Sequence, residues 1–261
     1  MNRVICVVGP TATGKSRLAV TLCQHLNGEV VSCDSMQLYR GMVIGTAAPT
    51  EEEMQGVPHH MVGVIDPREN FSAGRYVELA DRCVQDILSR GKTAVIAGGT
   101  GLYVDSLIAG RAFAPYPQTG RREALEREAE ECGIEPLLAR LAAVDPDSAA
   151  RLHPSDRRRI IRALEIYEET GVTITEHDRL TRATPPKYDP VWIGLDFADR
   201  ADLYARIDRR VDEMFAAGLV DEIRALVDEV LSRDDIKYCP HGRPVCITLT
   251  KAQLERQFGR A

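Results

Sequence analysis

No apolar run in this 261-residue chain approaches the length of a membrane-spanning helix, which takes ~18 residues or more. A strand-like run begins almost at once, at Val4. That leaves no room for a secretory signal and predicts a cytoplasmic protein. The seven cysteines are scattered and odd in number, without the spacing of a disulfide framework, so reduced thiols are expected. Excess basic charge is also lacking. With a net charge of −6, contact with nucleic acid has to come from a local patch. Residues 1–230 contain no metal-ligand spacing, and the chain has no internal repeat or low-complexity tract.

What is present starts at the first strand. Val4-Ile5-Cys6-Val7-Val8 runs into Gly9-Pro10-Thr11-Ala12-Thr13-Gly14-Lys15-Ser16, a full match to the phosphate-binding loop G-x-x-x-x-G-K-[ST]. Gly9 and Gly14 let backbone N–H groups turn inward around a phosphate. Lys15 supplies a point charge, and Ser16 can hold magnesium at a helix N-terminus that favours anions. Leu18, Ala19, Leu22 and Leu26 predict one buried helical face ending at Gly28. Taken alone, the loop leaves open which phosphate it holds.

Further strands are predicted at 28–34, 93–97 and 191–195, with helices at 72–91, after Gly101 and at 200–217. Strands alternating with helices imply a parallel sheet covered on both faces, with ligands at the carboxyl ends of the strands. The fold class is therefore α/β, a P-loop NTPase-like parallel sheet flanked by helices, with an inserted helical unit. The core is expected at 1–111 and 186–227. The insertion spans 112–185, with helices at 119–132, 134–144 and 155–170. Residues 228–261 form a tail too short to bury a core.

Three constellations follow the loop. Asp34 ends the second strand within Asp34-Ser35-Met36-Gln37-Leu38-Tyr39-Arg40, where a carboxylate can act as general base or cap a turn. Gly98-Gly99-Thr100-Gly101 allows close backbone approach, and its Thr hydroxyl can donate to a phosphate oxygen. Five arginines and one acid lie between residues 151 and 162. Ser155 is the expected N-cap there, with Ile160, Ile161, Leu164 and Tyr167 as the buried stripe. Arg158, Arg159 and Arg162 share another face, suited to a phosphate backbone or simply to solvent. Pro58-His59-His60 is expected to precede a strand and to be structural.

In this order, together with Ile44-Gly45-Thr46-Ala47-Ala48-Pro49, Phe71-Ser72-Ala73-Gly74 and Gly98 through Tyr103, the motifs resemble bacterial tRNA dimethylallyltransferases, the IPP transferase family, over residues 1 to about 227. The resemblance implies transfer of a dimethylallyl group from its diphosphate to N6 of the adenosine next to the anticodon of tRNA. Pyrophosphate is released and Mg2+ is the cofactor. It assigns the residues Gly9, Pro10, Thr11, Ala12, Thr13, Gly14, Lys15 and Ser16, with Arg224, to the diphosphate, and Asp34 and Thr100 to catalysis. Asp34, Ser35, Met36, Gln37, Thr100, Arg122, Arg158, Arg159, Ile160, Ile161 and Arg162 are implied to meet tRNA. The partners are thus tRNA and dimethylallyl diphosphate, with no membrane and a monomeric state expected. A transferase for free adenine nucleotides, a small-molecule kinase and an inactive tRNA-binding remnant are the alternative readings.

Two departures from the family stand out. Ala48 replaces the lysine of the usual Gly-Thr-Ala-Lys-Pro, removing one cation. From about 228 the chain resembles the C-terminal end of a MutL-type mismatch-repair protein, with Cys239, His241 and Cys246 as an incomplete ligand set. A truncated transferase joined to a foreign tail near 228–231 is expected, with exposed apolar surface where closing helices are missing.

Overall fold

A computed structural model of the chain describes residues 2–69, 71–111, 119–183 and 185–232; Cys239, His241 and Cys246 of the tail lie outside the described residues. Five parallel strands form one sheet in the order β3-β2-β4-β1-β5: β1 (Arg3–Val8), β2 (Gly28–Ser32), β3 (His59–His60), β4 (Thr93–Gly98) and β5 (Asp189–Gly194). β1 and β4 are central and read as near-continuous apolar runs, as strands covered on both faces must. One face packs on α3 (Ala73–Ser89) and α4 (Gly101–Ala109) through Tyr76, Ala80, Val84, Ile87, Val104 and Leu107. The other packs on α1 (Lys15–Leu26) through Ala19, Val20 and Cys23.

Local signals explain most boundaries. Ser72 caps α3, its hydroxyl accepting from the Arg75 amide at 3.2 Å. Thr50 and Glu53 form a capping box on the short α2 (Glu51–Met54). Several expectations shift. α1 ends at Leu26 with Asn27 in the left-handed region (φ 50°), because Asn tolerates that conformation. Its buried face is Ala19, Val20 and Cys23, and Leu26 points to solvent. His59 and His60 do not precede a strand; they are the edge strand β3, pairing with Val30 and Val31.

The insertion contains α5 (Arg121–Glu131), α6 (Glu135–Val144), α7 (Pro146–Arg151), α8 (Arg157–Thr170) and α9 (Ile174–Ala183). Leu125, Leu137, Leu141, Ile160, Ile161 and Leu164 give it an apolar cluster of its own. Two of these helices escape sequence reading. α7 is one short polar turn and a half, nucleated by Asp145, whose buried carboxylate accepts from Ser148 N and Thr175 N at 3.1 Å and so also starts α9. The chain then returns through β5 to α10 (Arg200–Ala216) and α11 (Leu219–Leu231). Here Trp192, Tyr204, Phe215, Val220 and Ile223 are exposed. The described cysteines are all free thiols, and burial pushes Cys6 and Cys33 up to about 12.

At the amino end of the sheet, the buried Glu29 carboxylate receives Arg90 Nη2 at 2.8 Å and Lys92 Nζ at 2.7 Å, and lies 2.8 Å from His60 Nε2. The Arg90 hydrogen bonds, against the opposing effect of burial, hold its carboxyl far below the usual range. A group so depressed contributes stability that is present above the ordinary carboxylate pKa and lost as pH falls towards the folded one. Glu29→Gln, which removes the charge these partly exposed cations share, is expected to cost roughly 1–3 kcal/mol at neutral pH. Its stability should also depend less on pH below about 4.3, the carboxylate reference value. Urea unfolding at pH 7 and at acid pH measures both; equal stability of the two proteins at pH 7 would refute the assignment.

Candidate functional site

The loop from Gly9 to Ser16 leaves β1 and enters α1. Ala12 (φ 66°) and Gly14 (φ 89°) turn through the left-handed region to close it. Thr13 Oγ1 and Lys15 Nζ donate to the Pro10 carbonyl at 2.8 and 2.5 Å, which draws the loop around its own axis. The first turn of α1 carries no acid, so its positive end is uncompensated. Burial lowers the pKa of Lys15, Asp34 opposes that shift and Arg210 reinforces it. The loop, Asp34 and Arg210 therefore share one electrostatic neighbourhood.

β2 and β4 deliver the other two elements, and they are stitched together. The Thr100 amide donates to the Cys33 carbonyl at 3.1 Å, and the Ser35 amide donates to Thr100 Oγ1 at 3.1 Å. A Cβ on Gly98 would lie 2.1 Å from the Cys33 carbonyl oxygen, and one on Gly9 would lie 2.2 Å from that of Leu195. These strand exits pack backbone on backbone, which only glycine permits. Beneath them Tyr76 and Tyr103 stack with centroids 4.1 Å apart, and Tyr76 Oη donates to the Ser32 carbonyl at 2.9 Å.

Asp34 is half-buried. Its Oδ1 accepts from the Met36 amide at 2.9 Å and the Gln37 amide at 3.4 Å, which orients the carboxylate and leaves Oδ2 for other partners. Met36 is exposed; Gln37 bridges Ser32 Oγ (3.1 Å) and the Ala47 carbonyl (3.0 Å). A cleft of about 350 Å³ opens beside the loop, between Gly9-Pro10 and Gly98-Gly99, with Val104, Asp105 and Trp192 in its walls. It offers an apolar wall next to a phosphate cradle.

The arginine segment is less uniform than expected. α8 starts at Arg157 behind Asp156, while the Ser155 hydroxyl lies 2.8 Å from His153 Nδ1 and caps nothing. Arg158 and Arg159 are exposed. Arg162 is half-buried and donates to Glu165 at 3.0 Å. Ile160 and Ile161, at 0% and 2% exposure, belong to the core of the helical unit. Arg122 is exposed and paired with Glu126 at 3.3 Å.

Arg224 donates to Asp221 at 3.0 Å on an exposed face of α11, and Arg210 of α10 is the arginine whose charge reaches Lys15. Sequence reading missed Arg210, Asp105 and Trp192. Their only signal is position, one turn inside α4 or on the returning β5–α10 segment.

A parallel sheet with a phosphate loop on its first strand and further site residues on the neighbouring strand ends defines a P-loop NTPase-like α/β protein. The family model described as IPP transferase matches residues 37–252, and the chain belongs to that family. The match runs past residue 231. A tRNA dimethylallyltransferase from Caldanaerobacter subterraneus subsp. tengcongensis is 48% identical over 223 residues, 85% of this chain and 71% of that protein. One from Thermoanaerobacter sp. is 43% identical over 254 residues, covering 97% and 81%. Among solved structures, the tRNA isopentenylpyrophosphate transferase of Bacillus halodurans is similar at 39% identity and a TM-score of 0.62, covering 100% of this chain and 79% of its own. A eukaryotic dimethylallyltransferase acting on tRNA reaches a TM-score of 0.77 at 30% identity, covering 90% and 58%.

Proposed function

We infer that this protein transfers a dimethylallyl group from dimethylallyl diphosphate to N6 of the adenosine next to the anticodon in tRNA. The observation that carries the reading is the convergence of three strand ends: β2 delivers a proton acceptor, Asp34, β1 delivers an anion cradle, and β4 between them delivers Thr100, whose hydroxyl accepts from the Ser35 amide. In the reaction the N6–C1 bond forms as the C1–oxygen bond to diphosphate breaks. The N6 proton passes to Asp34, and pyrophosphate leaves with the bonding electrons. An exocyclic amine conjugated with its ring is a weak nucleophile, so an oriented carboxylate helps as attack develops. Charge grows on the leaving diphosphate, where Lys15, Arg210 and the loop amides stabilise it.

Magnesium fits this site in one manner. Among the described residues no group of three or more His, Cys, Asp or Glu side chains could hold a metal, whereas magnesium commonly takes one or two protein oxygens and completes its shell with phosphate and water. The exposed Ser16 hydroxyl at the start of α1 would hold it, and the ion would neutralise diphosphate charge. Among the described residues no helix is long and apolar enough to cross a membrane. We assign the protein to the cytoplasm as a monomer, with a catalytic core at 1–111 and 186–227 and an RNA-binding insertion at 112–185.

Labelled dimethylallyl diphosphate with an unmodified tRNA tests the reading; absence of label in tRNA at high enzyme concentration would sink it, and preference for AMP would redirect it. In the same assay Arg159→Ala is expected to weaken tRNA binding and reduce the slope of log K against log salt by about one unit. An unchanged slope would remove Arg159 from the RNA surface.

A further inference from the structure

Three consecutive backbone amides converge on one side chain. Val43 N and Ile44 N donate to Glu222 Oε2, and Gly45 N donates to Oε1, each at 2.8 Å. Glu222 lies on α11, close to 180 residues further along the chain. The approach is close: a Cβ at Gly45 would sit 3.3 Å from both Glu222 Oε1 and Leu219 Cδ1. Burial would raise the Glu222 carboxyl, but the three amides outweigh it and hold the group below its usual range.

The bonded loop leads back to the catalytic carboxylate. Its turn is closed by Ala47 N to the Ile44 carbonyl at 2.9 Å and Ala48 N to the Val43 carbonyl at 3.0 Å. The Ala47 carbonyl then accepts from Gln37 Nε2 at 3.0 Å, and the Gln37 amide donates to Asp34 Oδ1 at 3.4 Å. An unbroken series of hydrogen bonds thus runs from α11 to Asp34. The preceding helix of the same hairpin, α10, carries Arg210, whose charge is felt at Lys15.

We propose that Glu222 is a positioning residue: by gripping the amides of 43–45 it fixes Gln37 and the Asp34–Gln37 segment for the incoming base. This rests on the transferase reading above. A carboxylate suits the task because it accepts at both oxygens, whereas an amide offers one acceptor and turns a donor towards donors.

Glu222→Gln is the test. Its kcat on tRNA is expected to fall roughly ten- to a hundredfold, the effect of a small misplacement at the reacting centre, with KM for dimethylallyl diphosphate held within about twofold. Because Glu222 acts through Gln37, the double variant with Gln37→Ala should lose about as much as the worse single variant and no more. Unchanged kcat in Glu222→Gln, or losses that simply add, would overturn the proposal. Amide hydrogen exchange over residues 34–48 is read on the same proteins. Glu222→Gln is expected to lose protection there, and unchanged protection overturns the positioning role even if the wild type transfers no prenyl group, a result that would fault only the transferase reading.

Discussion

Asp34→Asn is expected to lower the single-turnover rate of tRNA prenylation by roughly 10²–10⁴-fold, the range for loss of a general base. Asparagine keeps an oxygen to accept from the Met36 and Gln37 amides, so the loop after β2 should hold its shape. What disappears is an oxygen able to take a proton. The contribution of Asp34 to the field around Lys15 goes too, which should tighten the grip on diphosphate slightly, as one negative charge leaves the site. The two signs separate the roles: the rate falls while ground-state affinity for the prenyl diphosphate holds or improves. Binding measured with a non-reactive diphosphate analogue, alongside single-turnover chemistry, distinguishes them. If tRNA affinity collapses and the bound complex reacts at the wild-type rate, Asp34 is a recognition group and the base lies elsewhere.

Lys15→Met is expected to reduce kcat/KM for dimethylallyl diphosphate by roughly 10²–10³-fold, the usual cost of removing one preorganised stabiliser of developing negative charge. Methionine preserves an unbranched apolar stem, so the loss reports the ammonium group. The hydrogen bond from Lys15 to the Pro10 carbonyl also disappears, but Thr13 Oγ1 still donates to the same oxygen at 2.8 Å and keeps the loop closed. Pyrophosphate, as product, should inhibit the variant much more weakly than the parent. Wild-type kcat/KM in Lys15→Met would mean that the loop does not carry the leaving group.

The phosphate loop, the strand ends and the capped α3 were legible because each is written in consecutive residues with a fixed geometry. Asp34 and Thr100 were legible as candidates for the same reason. The bond between their segments, from the Ser35 amide to Thr100 Oγ1, was not, since it depends on the β2–β4 pairing. β3 escaped because two residues carry no alternation to detect. α7 and α9 escaped because tertiary contacts from Asp145, and not apolar periodicity, start them. The spacing of the arginine segment does not show its ion pairs, Arg157 with Glu130 of another helix and Arg162 with Glu165. Arg210 and Glu222 have no local motif. They matter because the α10–α11 hairpin returns to the site from the far end of the described chain.

Gly98 shows how little of this architecture is negotiable. A side chain there has nowhere to go except into the Cys33 carbonyl, so β2 could not leave the sheet along its present path. The requirement comes from folding and not from prenyl transfer. A lineage that abandoned the chemistry altogether would be free to drift at Asp34, Lys15 and the exposed arginines. It would still inherit glycine at 98 for as long as it kept the sheet, so that this position records descent more faithfully than the residues we assign to the chemistry.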